Sequence, residues 1–65
     1  MGRLLTIDEA AAHLAVSPRT VRRLIDEGRV PRVVLRTLTR LRVEDLDALP
    51  SEVVTAAVAD DEVAS

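Results

Sequence analysis

The chain has 65 residues, enough for one small domain, and its lack of cysteine excludes disulfides and thiolate metal sites. Phe, Tyr and Trp are also absent, which removes aromatic base stacking as a way of binding single-stranded nucleic acid. A single histidine, His13, cannot form a metal site by itself, and no apolar run is long enough to span a membrane. These features predict a cytoplasmic protein without a metal or a cofactor.

The net charge of −2 conceals a strong asymmetry along the chain. Residues 1–43 hold all nine arginines and four acids, a net charge of +5, whereas residues 44–65 hold seven acids and no base, a net charge of −7. Four of the arginines fall within Val16–Pro31. Because a polyanion responds to a local basic patch rather than to the overall charge, the first two-thirds of the chain can bind duplex nucleic acid.

The first predicted helix begins at Thr6-Ile7-Asp8-Glu9, which matches a capping box. Acidic residues in the first turn suit the positive end of the helix dipole. Apolar residues then recur at helical spacing: Ile7, Ala10, Ala11 and Leu14. We therefore expect a helix over about 7–14.

A second helix is predicted immediately afterwards, over about 18–27. Ser17 is a typical N-cap, and Pro18 suits the first helical position because its missing N–H has no partner there. Gly28 is a natural residue just beyond the C-terminus, and Pro31 prevents the helix from continuing. Two short helices joined by a tight turn are typical of a helix-turn-helix.

A helical wheel divides the second helix into two faces. One face is apolar and should be buried: Val21, Leu24 and Ile25. The opposite face is charged and should be exposed: Arg19, Arg22, Arg23 and Asp26. Thr20 lies at the edge of the charged face, where its hydroxyl can contact DNA or bond within the helix. The alternative for the arginines is a merely solvated helix face.

The segment RVVLRTLTRLRV, residues 32–43, is rich in Val, Leu and Thr and predicts a β-hairpin with its turn near Arg36-Thr37-Leu38. The following EDLDAL predicts a short third helix over about 44–49, ended by Pro50. Residues 51–65 carry apolar residues at helical spacing, but the acids 60–62 oppose the helix dipole and predict fraying from there. This segment either completes the core, contacts another chain or is disordered.

The stretch LLTIDEAAAHLAVSPRTVRRLIDEGRVP, followed by RLRVEDLDAL, resembles the excisionase-type winged helix-turn-helix family, the phage recombination directionality factors. That family is similar to the DNA-binding heads of MerR-like regulators. The resemblance covers residues 4–49 and implies a mainly α fold with a small β-hairpin: helix-turn-helix, two-stranded wing, short third helix and possible C-terminal helix. It divides the chain into a DNA-binding domain, 1–50, and an acidic tail, 51–65.

The resemblance also implies which residues bind DNA. The second helix lies in the major groove in this family, which makes four residues groove-facing: Arg19, Thr20, Arg22 and Arg23. Guanidinium groups match guanine O6 and N7, so we expect Arg19 and Arg22 to read bases and Arg23 to divide between base and phosphate. The wing, which lacks the family's usual glycine, supplies three candidate backbone contacts: Arg32, Arg36 and Arg40.

The function implied is that of a non-enzymatic excisionase, which binds beside an integrase at an attachment site, bends the DNA and promotes excision. The setting would be a bacterial cytoplasm, with the gene carried by a phage or mobile element. Several copies would bind cooperatively on DNA or associate through the tail. Because the chain begins with Met1 and lacks an effector domain, we expect a complete protein. The alternatives are a small transcriptional repressor and a protein-interaction module whose arginines dock an acidic partner.

Overall fold

A computed structural model describes residues 3–64, and side chains within residues 3–61. The described chain contains β1 (Leu4–Leu5), α1 (Ile7–Leu14), α2 (Pro18–Asp26), β2 (Val33–Leu35), β3 (Leu38–Arg42), α3 (Val43–Asp47) and α4 (Ser51–Ala64). This arrangement confirms the predicted winged helix-turn-helix. Met1, Gly2 and Ser65, the ends of the two predicted regions, lie outside the described residues. In the part of the chain that the structure describes, no helix has the length and apolar character needed to cross a membrane.

The capping box begins α1 as predicted. Glu9 N donates to Thr6 Oγ1 at 3.0 Å, and Thr6 N donates to Glu9 Oε1 at 2.9 Å. The backbone N–H of Thr6 is the main cause that lowers the pKa of Glu9. The helix ends at Leu14. Its C-cap, Ala15, has the left-handed conformation, with φ 59° and ψ 42°.

The left-handed Ala15 allows a paired stability test. Ala15→Gly should raise the free energy of unfolding by up to about 1 kcal/mol, since glycine adopts this conformation without the Cβ penalty. Ala12→Gly, the same substitution inside α1, should lower it by about 1 kcal/mol because of helix propensity. Urea denaturation, monitored by far-UV circular dichroism, measures the free energy of unfolding of both variants. Equal destabilisation by the two variants would show that Ala15 is not left-handed in solution.

The second helix also follows its predicted start. Ser17 Oγ accepts from Thr20 N at 3.2 Å, and Pro18 takes the first helical position. The helix ends at Asp26, one residue before the predicted end, because Glu27 already serves as the C-cap. Gly28 has a φ of 73°, which lies in the left-handed region. Helices commonly end with a glycine in this conformation just beyond the C-cap.

The sheet has three antiparallel strands in the order β1-β3-β2. The prediction contains the two strands of the wing, β2 and β3, but not β1. In β1, Leu4 pairs with Arg42 and Leu5 with Leu41. Two residues are too few to show the alternation that marks a strand in a sequence. The hairpin turn is shorter than predicted, because Leu38 already belongs to β3 and pairs with Leu35.

The third helix begins one residue earlier than predicted and ends two residues earlier than predicted. Its N-cap, Arg42, makes no side-chain capping bond, so nothing local in the sequence marks this start. All the helices and two strands contribute to one buried cluster: Leu5, Ala10, Ala11, Val21, Leu24, Val30, Leu41, Leu46 and Ala57.

The last helix, α4, packs against α2. Ala57 is 3% exposed and belongs to the core, and Val53 packs against it. Of the alternatives for this segment, the structure therefore shows completion of the core. The predicted fraying from Asp60 is wrong, because the helix continues to Ala64. One acid of that run, Asp61, is paired with α2, which offsets its unfavourable position in the helix dipole.

Candidate nucleic-acid interface

The exposed face of α2 carries Arg19, Arg22 and Asp26. On the opposite face, Val21 and Leu24 are fully buried, so the core fixes the rotation of the helix about its axis. Among the described side chains, neither Arg19 nor Arg22 makes a salt bridge. Their guanidinium groups are therefore available to a ligand.

Thr20 does not lie on this exposed face, and its predicted groove-facing position is wrong. It is 2% exposed, and its hydroxyl donates to Asp61 Oδ2. Ser17 Oγ lies 3.0 Å from the same hydroxyl. The helical wheel places Thr20 at the edge of the charged face, and α4 covers that edge. Its hydroxyl is thus paired with side chains of the same molecule, and not with a carbonyl of its own helix.

Arg23 lies between the exposed face and the edge covered by α4. Its side chain is 31% exposed, and its Nε donates to Asp61 Oδ1 at 2.8 Å. Hydrogen bonds from the Thr20 hydroxyl and then from Arg23 lower the pKa of Asp61, and the Asp61 bond raises the pKa of Arg23. The helical wheel predicts Arg23 to be exposed, whereas the structure shows it partly buried and paired with a carboxylate of the same molecule.

Asp61 is the residue of this site that sequence reasoning missed, because the acids 60–62 predict a fraying helix end and not a buried contact. The sequence nevertheless contains a signal that Asp61 is buried. Val53, Ala57 and Asp61 recur every four residues, so they share one face of a helix. The apolar members predict that this face is buried, and burial requires a partner for the carboxylate.

The wing presents its arginines unevenly. Arg32 and Arg36 are exposed, whereas Arg40 is half-buried and donates from Nη1 to the backbone oxygen of Thr39 at 2.9 Å. Arg36, the first residue of the turn, has a φ of 59°, a conformation in which glycine is usual. Large apolar side chains are also exposed on this hairpin: Val34, Leu35 and Leu38. The wing is therefore less basic at its surface than the three arginines alone suggest.

His13, to which the sequence assigns no function, joins α1 to α3. Its Nε2 lies 2.7 Å from Asp47 Oδ1, and both side chains are exposed. The contact lies in a different part of the fold from the arginines of α2.

A family model described as a helix-turn-helix domain matches residues 4–49, which include α1, α2 and the wing. No curated protein and no solved structure matches the chain. The matched residues make up more than half of the sequence, and they include the helix-turn-helix, the sheet and the exposed pair Arg19 and Arg22. The chain therefore belongs to the helix-turn-helix domain family, which indicates DNA binding.

Proposed function

We propose that this protein binds duplex DNA sequence-specifically, with α2 in the major groove. The observation that carries the proposal is the pair Arg19 and Arg22, exposed and without salt bridges among the described side chains. The buried residues Val21 and Leu24 hold the helix so that this face points outward. Arginine forks bind guanine O6 and N7 bidentately, which gives the site its specificity.

The other arginines have supporting functions in this proposal. Arg23 adds a third guanidinium beside the exposed pair, and the wing contacts the DNA backbone through Arg32, Arg36 and Arg40. Thr20 has no part in the contact because it is buried. Arginines that neutralise phosphates release counterions, so binding weakens steeply as salt rises despite the net negative charge of the chain.

We further propose that the protein acts as an excisionase, a non-enzymatic partner of an integrase in a bacterial cell. The sequence resemblance over residues 4–49 supports this function, and the matched family includes excisionase-like DNA-binding domains. A single module of this size buries only about 600–1,000 Å² on DNA. Val53 and Ala57 of α4 pack in the core of the same chain. We therefore favour cooperative binding of several copies on DNA over association through this helix.

A recombination assay tests the excisionase proposal. Excision between attL and attR is measured with an integrase encoded beside the gene, in the presence of the wild-type protein, Arg22→Ala or Arg29→Ala. Arg29 is an exposed arginine beyond α2, so its substitution removes the same charge elsewhere. We expect excision to increase with the wild-type protein and with Arg29→Ala, but not with Arg22→Ala.

The same experiment distinguishes the transcriptional regulator. If the wild-type protein leaves excision unchanged and silences a promoter beside its binding site, the excisionase proposal is wrong and the protein is a repressor.

A further inference from the structure

Asp61 is a buried acid that the proposed function does not use. It is 9% exposed, and α2 supplies a donor to each of its carboxylate oxygens. Oδ2 accepts from the Thr20 hydroxyl, and Oδ1 accepts from Arg23 Nε at 2.8 Å. The carboxylate therefore connects the end of α4 to the helix that carries the candidate base-reading arginines.

The bond to Asp61 occupies only one edge of the Arg23 guanidinium. Arginine has five N–H donors, and Asp61 accepts from Nε alone. Among the described side chains and backbone, no other acceptor bonds Arg23, so its terminal nitrogens Nη1 and Nη2 keep their donors. These two nitrogens form the fork that fits guanine O6 and N7. A carboxylate at Nε orients the guanidinium plane without blocking that fork.

We propose that Asp61 is a positioning residue, which holds Arg23 so that its terminal fork reads a guanine instead of turning to a phosphate. This inference rests on the proposed DNA binding. An arginine held in one rotamer loses less conformational freedom when it binds a base. The carboxylate also offsets part of the charge of Arg23, which weakens its attraction to phosphates at any sequence.

The way α4 is anchored favours positioning over a detachable inhibitory contact. Ala57, one turn before Asp61, is part of the hydrophobic core, so releasing α4 would open the core. The Thr20 hydroxyl holds the other oxygen of the carboxylate, which keeps Asp61 in place whether or not Arg23 contacts DNA. Asp61 therefore stays beside α2 in the bound protein.

The test is selection from a randomised duplex library by four proteins: the wild type, Asp61→Ala, Asp60→Ala and Arg23→Ala. Asp60 is exposed and forms no salt bridge in the described structure, so its substitution removes the same charge without removing the bond. We expect the wild type and Asp60→Ala to select the same sequence. Asp61→Ala, which removes the acceptor of the Arg23 bond, should lose the preference at one guanine position, by about 5- to 150-fold, the discrimination of one bidentate pair. Arg23→Ala should lose the preference at that same position.

Binding to unselected duplex separates positioning from general damage. Asp61→Ala and Asp60→Ala should each bind random duplex at least as tightly as the wild type, since each has one negative charge fewer near the arginines. If Asp61→Ala selects the wild-type sequence with undiminished preference, Asp61 does not position Arg23. If the wild type selects no sequence, the proposed function itself fails.

A measurement on the wild-type protein covers the case in which Asp61→Ala does not fold. The Nε–H signal of Arg23, assigned by its loss in Arg23→Lys, is followed by NMR in the free protein and on the selected duplex. We expect the signal to remain protected from exchange with solvent in both states. Loss of protection on the duplex would show that Arg23 leaves Asp61 when it binds, and would overturn the proposal.

Discussion

Leu24→Ala is expected to leave the protein largely unfolded at 25 °C. Leu24 is 0% exposed and lies on the inner face of α2, in the cluster that joins the helices to the sheet. Truncating a buried leucine to alanine costs about 2–5 kcal/mol. A domain of this size, without disulfide or metal, has a core that supplies only about 3–5 kcal/mol in total. One cavity therefore removes most of the stability.

The matched control for this variant is Leu35→Ala, which truncates a leucine that is 47% exposed on the wing. Its free energy of unfolding should stay within about 0.5 kcal/mol of the wild type. Far-UV circular dichroism during urea denaturation measures both variants. A wild-type midpoint for Leu24→Ala would mean that α2 is not packed through this face, and the outward orientation of its arginines would lose its support.

Arg22→Ala should lower the affinity for the selected DNA sequence by about 5- to 150-fold, which corresponds to the loss of one bidentate base contact. Arg22 is exposed on α2 and has no salt bridge among the described side chains, so its removal leaves no buried charge behind. The stability of the fold should not change. The affinity for random duplex should fall less, because only one of several phosphate-attracting charges is lost.

Fluorescence anisotropy titrations with the selected duplex and with a random duplex, at one salt concentration, measure the two affinities. Arg29→Ala is the control, since it removes an exposed arginine outside α2. It should lower both affinities slightly and equally. If Arg22→Ala also weakens both duplexes equally, Arg22 contacts phosphate and does not read a base.

The parts of the fold that the sequence predicts are those determined by neighbouring residues. Thr6 and Glu9 form a capping box three residues apart, and Ser17 and Pro18 mark the next helix start, so α1 and α2 begin where predicted. The helical wheel identifies Val21 and Leu24 as buried for the same reason. Each of these features depends on contacts within one or two turns of helix.

The parts that the sequence does not predict depend on residues distant along the chain. Leu4 and Leu5 form a strand only because β3 lies beside them. The burial of Thr20 depends on Asp61, 41 positions later, and only the docking of α4 brings the two together. Arg19 and Arg22 are placed on the exposed face as predicted, but the engagement of Arg23 could not be read from α2 alone.

The central claim is that the arginine face of α2 binds duplex DNA, and a gel shift with random duplex at low salt tests it most directly. We expect the wild type to shift the duplex at micromolar concentration, and the shift to weaken strongly between about 50 and 200 mM salt. Arg19→Ala combined with Arg22→Ala should weaken it strongly, because two arginines of the proposed contact face are lost. If the folded wild-type protein gives no shift at micromolar concentration, the claim is contradicted.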